Sequence, residues 1–240
     1  MSYFFILAIG LIAGTIGGIV GTGSSIMLLP VLIYEFGPKE AVPIMAIAAI
    51  MANLARILAW WREVDWRAVA AYSIPGVPMA ALGARTLLAL PSRTVDIAIG
   101  VFLLAMIPAR RWLAANNIQL PYWSLVIVGA IAGFLTGIVA STGPITVPIF
   151  MTFGLLKGPL LGTEAAGSLA VYISKAITFQ RFDALPWDVF LKGLIAGSSL
   201  FAGAFIAKRF VLKLDADSFR LMMDGLMLVA GLAILWNAFV

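Results

Sequence analysis

Long apolar runs, each bounded by charged residues, glycine or proline, follow one another along almost the whole chain. Their lengths suit membrane-spanning helices, which need about 20 apolar residues to cross a hydrocarbon core of about 30 Å. We therefore predict an all-α polytopic membrane protein with about eight hydrophobic segments. The predicted segments cover 3–34, 41–61, 67–90, 94–113, 122–155, 159–180, 187–210 and 219–239.

The first and fifth segments are too long for a single straight crossing. At 1.5 Å per residue a helix over 3–34 would be about 48 Å long, well beyond the hydrocarbon core. Each contains a cluster of glycine and hydroxyl residues followed by proline, at 21–25 before Pro30 and at 141–144 before Pro148. Because such clusters weaken a helix, we predict that both segments are broken or re-entrant.

The second half of the chain repeats the pattern of the first. A shift of 119 residues aligns three glycines spaced four apart, and nearby it aligns Arg56 with Lys175. The aligned glycines are Gly10 with Gly129, Gly14 with Gly133, and Gly18 with Gly137. We predict two homologous membrane repeats, 1–115 and 120–240, within one integral membrane domain. Glycine at every fourth position favours close helix packing and would also permit a homodimer.

The distribution of loop cations bears on the topology. The first and fifth segments could each cross once or form a re-entrant hairpin, and in both schemes fewer cations lie on the side of the termini. In the hairpin scheme that side holds Lys39, Arg85, Arg93 and Arg181. The positive-inside rule then places both termini outside. We favour hairpins, which leave three crossings per half and make the halves inverted repeats, a plan of secondary transporters.

Composition excludes several chemistries. Hydrophobic residues make up 62% and charged residues 11% of the chain, against about 25% charged in soluble domains. There is no cysteine or histidine, so thiol, imidazole and ordinary zinc chemistry are excluded, and we expect no metal or cofactor. The net charge of +5 comes from scattered cations, which does not suit a nucleic-acid partner. The expected partners are the lipid bilayer and a small anion.

Several motifs carry a family resemblance over the whole chain. They are the glycine-rich breaks at 14–30 and 133–148, Asn53-Leu-Ala-Arg56, Trp61-Arg-Glu-Val-Asp-Trp66 and Ala166-Gly-Ser-Leu-Ala170. The chain resembles the sulfite exporter TauE/SafE family. This resemblance implies a bacterial or archaeal inner-membrane permease for small sulfur-containing or organic anions, such as sulfite, thiosulfate, sulfoacetate or other sulfonates.

The two breaks are the first candidates for a substrate site. Free N–H groups at the start of a half-helix attract anions, and neighbouring hydroxyls add donors. The candidate residues are Thr22, Gly23, Ser24, Ser25, Ser141, Thr142 and Gly143. Alternatively, these hydroxyls cap the broken helices and satisfy only their own backbone.

Charged residues inside the apolar segments are the second set of candidates. Arg56 and Lys175 occupy matching positions and could attract one anion together, with Asn53 one turn before Arg56. Alternatively, both cations extend to the membrane interface. Glu164 is a possible proton carrier for coupling. It lies eleven residues before Lys175, about 16 Å along a helix, so direct contact between them needs another arrangement.

We therefore predict a secondary transporter that works by alternating access around the two broken helices. A passive anion channel is the alternative, since channels also use backbone dipoles and charged rings. An intramembrane enzyme is disfavoured, because the chain has no His-Glu-x-x-His or Gly-x-Ser-x-Gly motif and no Cys/His pair.

Overall fold

A computed structural model describes residues 3–21, 23–116, 121–139, 142–155 and 157–208, and the positions 224, 225, 228, 229, 231, 232, 235 and 236. Across these residues the chain is helical, without strands, which confirms the all-α prediction. The helices are α1 (Tyr3–Val20), α2 (Ser24–Trp60), α3 (Trp66–Ala89), α4 (Ser92–Ala115), α5 (Ser124–Ile138), α6 (Gly143–Met151), α7 (Lys157–Arg181) and α8 (Trp187–Ala207), with a 3-10 turn over Trp61–Glu63.

Both of the overlong segments are interrupted at their glycine-rich clusters. Between α1 and α2 the backbone passes through Gly21 and Gly23, whose φ angles are 83° and 110°. These left-handed conformations cost little for glycine and are rarely adopted by other residues. In the second half, the chain leaves the helix after Ile138 and re-enters one at Gly143.

A second bend lies inside α2. The sequence pattern separates 3–34 from 41–61, whereas helical hydrogen bonding continues through this region across a kink at Gly37 (φ 75°, ψ 162°). Only glycine adopts this backbone conformation readily, and Pro38 then starts the next stretch of helix with a preset φ. The end of the first predicted segment and nearly all of the second therefore form one bent helix.

By length and hydropathy, two helical stretches of the described residues qualify as full membrane spans, Ser24–Glu63 (α2 with the 3-10 turn after it) and Trp187–Ala207. Tyr3–Ile19 and Ser124–Ile138 are apolar but shorter. The mean hydropathy of α7 is lowered by small and polar residues and by the buried charges Glu164 and Lys175. The count of eight segments stays a prediction, and most of 219–239 lies outside the described residues.

The two sets of glycines at every fourth position, here called the glycine stripes, join the two halves. One stripe is Gly10, Gly14 and Gly18 of α1, and the other is Gly129, Gly133 and Gly137 of α5. A Cβ built on Gly14 of α1 would lie 2.7 Å from Cα of Leu200 in α8, and one built on Gly133 of α5 would lie 2.7 Å from Cα of Gly76 in α3. The first helix of each half therefore packs against a helix of the other half, α1 against α8 and α5 against α3. Since both stripes are covered within the chain, the glycines do not offer a free face for a second copy, and a homodimer stays a prediction.

The contacts also fix the relative directions of the helices. Gly162, near the start of α7, packs against Trp60, the last residue of α2. Further along α7, the hydroxyl of Ser174 donates to the carbonyl of Val77 in α3 at 2.7 Å. Thus α7 runs alongside α3 in the same direction and opposite to α2, its counterpart in the first half.

Each half begins with a helical hairpin. The first part of α2 returns from the break to the start of α8. There the ring centroid of Phe36 lies 4.9 Å from Nζ of Lys192. In the second half, Phe153 follows α6 and packs edge-on against Tyr122, which precedes α5, with ring centroids 5.7 Å apart. The broken segments therefore turn back on themselves.

The described positions after 223 pack along α4. Asp224 accepts from Nε of Arg111 at 2.7 Å, near the end of α4. A Cβ built on Gly231 would lie 3.0 Å from Leu104 and 3.2 Å from the carbonyl oxygen of Gly100, nearer the start of α4. This last part of the chain therefore runs antiparallel to α4.

Asp65 connects two helix starts outside the spanning segments. Its carboxylate accepts from the backbone N–H groups of Arg67 and Ala68, which caps α3, and from the hydroxyl of Tyr122 ahead of α5. Burial raises the pKa of the Asp65 carboxyl, but the hydrogen bonds from Tyr122 and the two N–H groups outweigh it and leave the pKa below its usual value.

Candidate functional site

A small polar cavity of about 20 Å³ lies between α2 and α7, where the two breaks meet. It has room for about one water molecule. The N-terminal ends of α2, at Ser24, and of α6, at Gly143, both open onto it. Its lining residues are Gly21, Gly23, Ser24, Ser25, Ala49, Ala52, Asn53, Arg56, Gly143, Glu164, Ser168 and Tyr172.

A buried ion pair forms one wall of this cavity. Nη1 of Arg56 lies 2.9 Å from Oε2 of Glu164, and the two residues are 9% and 2% exposed. The pair joins α2 of the first half to α7 of the second. Removing one partner of such a pair leaves an uncompensated buried charge, so the two side chains depend on each other.

Arg56 also holds the end of α1. Nη1 donates to the carbonyl of Gly21 at 2.5 Å, and Nη2 donates to the side-chain oxygen of Asn53, one turn earlier on α2. A cation at the C-terminal end of a helix satisfies free carbonyls and complements the helix dipole. Asn53 therefore orients the guanidinium, which bridges the first break and Glu164.

Two hydroxyls complete the environment of Glu164. Oε1 accepts from Thr146 of α6 at 3.0 Å and from Ser168, one turn further along α7, at 2.8 Å. Sequence reasoning missed both residues. The i, i+4 spacing from an intramembrane acid could have indicated Ser168, whereas nothing local in the sequence indicates Thr146.

Lys175 lies elsewhere and performs the matching task at the second break. It is fully buried, and its ammonium donates to the carbonyls of Thr136 and Val139 at 2.6 and 2.7 Å. These carbonyls belong to the end of α5. Lys175 does not line the described cavity, so the structure does not bring it together with Arg56 around one point, and both cations bind carbonyls inside the protein.

The other candidates divide into three groups. Gly23, Ser24, Ser25 and Gly143 line the cavity. Thr142 is buried beside it, with its hydroxyl 2.5 Å from that of Thr136, and does not cap α6 through its side chain. Thr22 and Ser141 lie outside the described residues.

The role of Lys175 can be tested with a matched pair of substitutions. We expect Lys175→Met to destabilise the protein by about 3 kcal/mol, because it leaves two buried carbonyls without their charged donor. Lys208→Met is the control, since exposed Lys208 donates to the carbonyl of Ala59 at 2.8 Å near the end of α2. That change should stay within about 0.5 kcal/mol. Thermal unfolding in detergent measures both, and equal midpoints would contradict the assignment.

Comparison with known proteins places the chain among membrane transporters. The chain is 29% identical over 189 residues to the probable membrane transporter protein y4hK of Sinorhizobium fredii (strain NBRC 101917 / NGR234), covering 72% of this chain and 73% of the relative. It is 25% identical over 115 residues to the probable membrane transporter protein YunE of Bacillus subtilis (strain 168), covering 43% of this chain and 42% of that protein. No solved structure matches significantly.

The family comparison covers almost the whole sequence. The profile of the family described as "Sulfite exporter TauE/SafE" matches residues 6–234. This range includes both breaks, the Arg56–Glu164 pair and Lys175. The chain therefore belongs to the sulfite exporter TauE/SafE family of membrane transporters.

Proposed function

We propose that this protein is a multi-pass permease of a bacterial or archaeal inner membrane that moves small sulfur-containing or organic anions, such as sulfite, thiosulfate or sulfonates. One observation carries the proposal: the N-terminal ends of two half-helices and the guanidinium of Arg56 meet at one small polar cavity. Helix N-termini and arginine are both suited to bind oxyanions. The family description supports the choice of sulfur oxyanions.

The binding site is assigned to both breaks and the helices behind them. The starts of α2 and α6 supply backbone N–H donors, and the proposed hydroxyl donors are those of Thr22, Ser24, Ser25, Ser141 and Thr142. Arg56 supplies the charge and Asn53 orients it. Lys175 does not contact the anion and instead stabilises the second break by donating to the carbonyls at the end of α5.

Alternating access between two inverted repeats is the proposed mechanism. The opposite directions of α2 and α7 support it, as does the packing of α1 against α8 and of α5 against α3. In such transporters one repeat rocks against the other around a central site. The Arg56–Glu164 pair lies at the contact between the halves, so a rocking motion would open or close the cavity there.

The proposed orientation has both termini outside. The helix directions put the start of α1 and the last described position, 236, on the side where α8 begins. That side has the fewer loop cations in the sequence, namely Lys39, Arg85, Arg93 and Arg181. The positive-inside rule then assigns it to the outside.

Transport by purified protein in liposomes tests the function. We expect saturable uptake of labelled thiosulfate that sulfite and sulfonates compete for. Ser168→Ala should raise the half-saturation concentration about tenfold, because it removes a hydroxyl donor from the lining of the cavity where the anion is proposed to bind. Ser198→Ala, which removes a hydroxyl from the exposed side of α8, should leave it unchanged. Uptake that never saturates would indicate a passive channel, and no uptake of any anion would refute the proposal.

A further inference from the structure

We propose that the carboxylate of Glu164 is an internal counter-anion that fills the substrate site, and that a monovalent oxyanion replaces it only as Glu164 takes up a proton. This inference rests on the proposed function, and it adds the coupling ion and the charge of the substrate. Arg56 thereby exchanges the carboxylate of Glu164 for the substrate oxyanion as its negative partner.

The surroundings of Glu164 are those of a bound oxyanion. Donors from three helices converge on its two oxygens: Arg56 from α2, Thr146 from α6, and Ser168 from α7, at 2.8 to 3.0 Å. A guanidinium together with hydroxyls suits a sulfonate as well as a carboxylate. The carboxylate therefore occupies the donors that a substrate would need.

The size of the cavity leads to the same conclusion. About 20 Å³ of free space holds about one water molecule, whereas a small sulfonate has a sulfur atom, three oxygens and at least one carbon. The free space beside Glu164 in this arrangement is therefore too small for such an anion, and the donors that could hold it are those that bind the carboxylate.

Charge then determines the protonation state. The titratable groups that face Glu164 are Arg56 from α2, Tyr72 from α3 and Tyr172 on α7 itself. The described parts of α5 and α6 carry no titratable side chain. Lys175, further along α7, donates to the carbonyls at the end of α5. Arg56 is therefore the one cation at the cavity within the described residues.

A single guanidinium cannot compensate two buried anions. If the substrate bound while Glu164 stayed ionised, a carboxylate that is 2% exposed would lose its counter-ion next to a second negative charge. Neither the lost counter-ion nor the second negative charge is compensated unless the site gains one positive charge. One proton from the aqueous phase therefore joins Glu164 for each monovalent anion bound, and the net charge of the site stays constant. A proton gradient can then drive the anion.

Calorimetry on the purified full-length protein can count this proton directly. The probe is methanesulfonate, the anion of a strong acid, because sulfite itself titrates near neutral pH. The heat of binding is measured at mildly alkaline pH in two buffers of different ionisation enthalpy. The difference between the two heats gives the number of protons taken up per anion. We expect about one for the wild type, with an apparent dissociation constant that rises about tenfold per pH unit.

Two substitutions sharpen this experiment. Glu164→Gln should reduce proton uptake to zero and make the affinity independent of pH. Glu40→Gln is the matched control, because this exposed carboxylate pairs with Lys192 away from the cavity, and it should behave as the wild type. Methanesulfonate binding without proton uptake by the wild type, or unchanged uptake in Glu164→Gln, would overturn the inference but leave an anion site. Absence of binding to the wild type would overturn the proposed function as well. The wild-type result is decisive even if Glu164→Gln does not fold.

Discussion

Arg56→Ala is expected to abolish anion transport and to destabilise the folded protein. The substitution removes the cation of the cavity, frees the carbonyl of Gly21 and leaves Glu164 buried without its partner. Breaking a buried ion pair in this way costs about 3–5 kcal/mol. The expected readouts are background uptake in liposomes and a lower thermal midpoint in detergent.

Further variants separate the effect on transport from the effect on stability. In Arg56→Ala combined with Glu164→Gln no unpaired charge remains, so the midpoint should recover part of the loss while uptake stays at background. Arg62→Ala removes an exposed cation from the turn after α2 and should change neither quantity. Wild-type uptake by Arg56→Ala would refute the assignment of the site.

Alanine at Gly14 or Gly133 is also expected to destabilise the folded protein. A Cβ on Gly14 or Gly133 would lie within 2.7 Å of backbone atoms of the facing helix, which cannot rotate away as a side chain can. Overpacking of this kind costs about 1–3 kcal/mol. We therefore expect Gly14→Ala and Gly133→Ala each to lower the thermal midpoint and the yield of folded protein.

Gly225 provides the control for the glycine substitutions. A Cβ there would meet no atom of the described residues within 4 Å, so Gly225→Ala should be neutral. A neutral result for Gly14→Ala as well would mean that α1 and α8 do not approach as closely as described. Because the two stripes pack in the same way, an effect in only one half would contradict the equivalence of the two contacts.

The sequence predicts local features of this fold well. Glycine, hydroxyl residues and proline inside an apolar run weaken a helix where they stand, so both breaks can be located without tertiary information. The kink at Gly37 is harder to assign. Its flanking residues resemble a loop between two segments, and only the backbone geometry shows that helical hydrogen bonding continues across it.

The partners of the charged residues could not be predicted in the same way. The repeat matches Arg56 with Lys175, but it does not indicate that each cation binds the end of the preceding helix. The carboxylate that pairs with Arg56 lies 108 residues away along the chain. Helix geometry argues against a contact between Glu164 and Lys175. It does not identify the actual partner of Glu164, because that partner depends on how α2 packs against α7.

The exchange of helices between the halves has a consequence for the order in which the protein is made. The glycine face of α1 has no partner until α8 has been synthesised, near the end of the chain, whereas α5 finds α3 already in place. The glycine face of α1 is therefore without its partner helix during most of translation. The contact between α1 and α8 is among the longest in sequence separation in the described fold. It follows that a ribosome product ending after the first half would expose its stripe to lipid or to insertion factors.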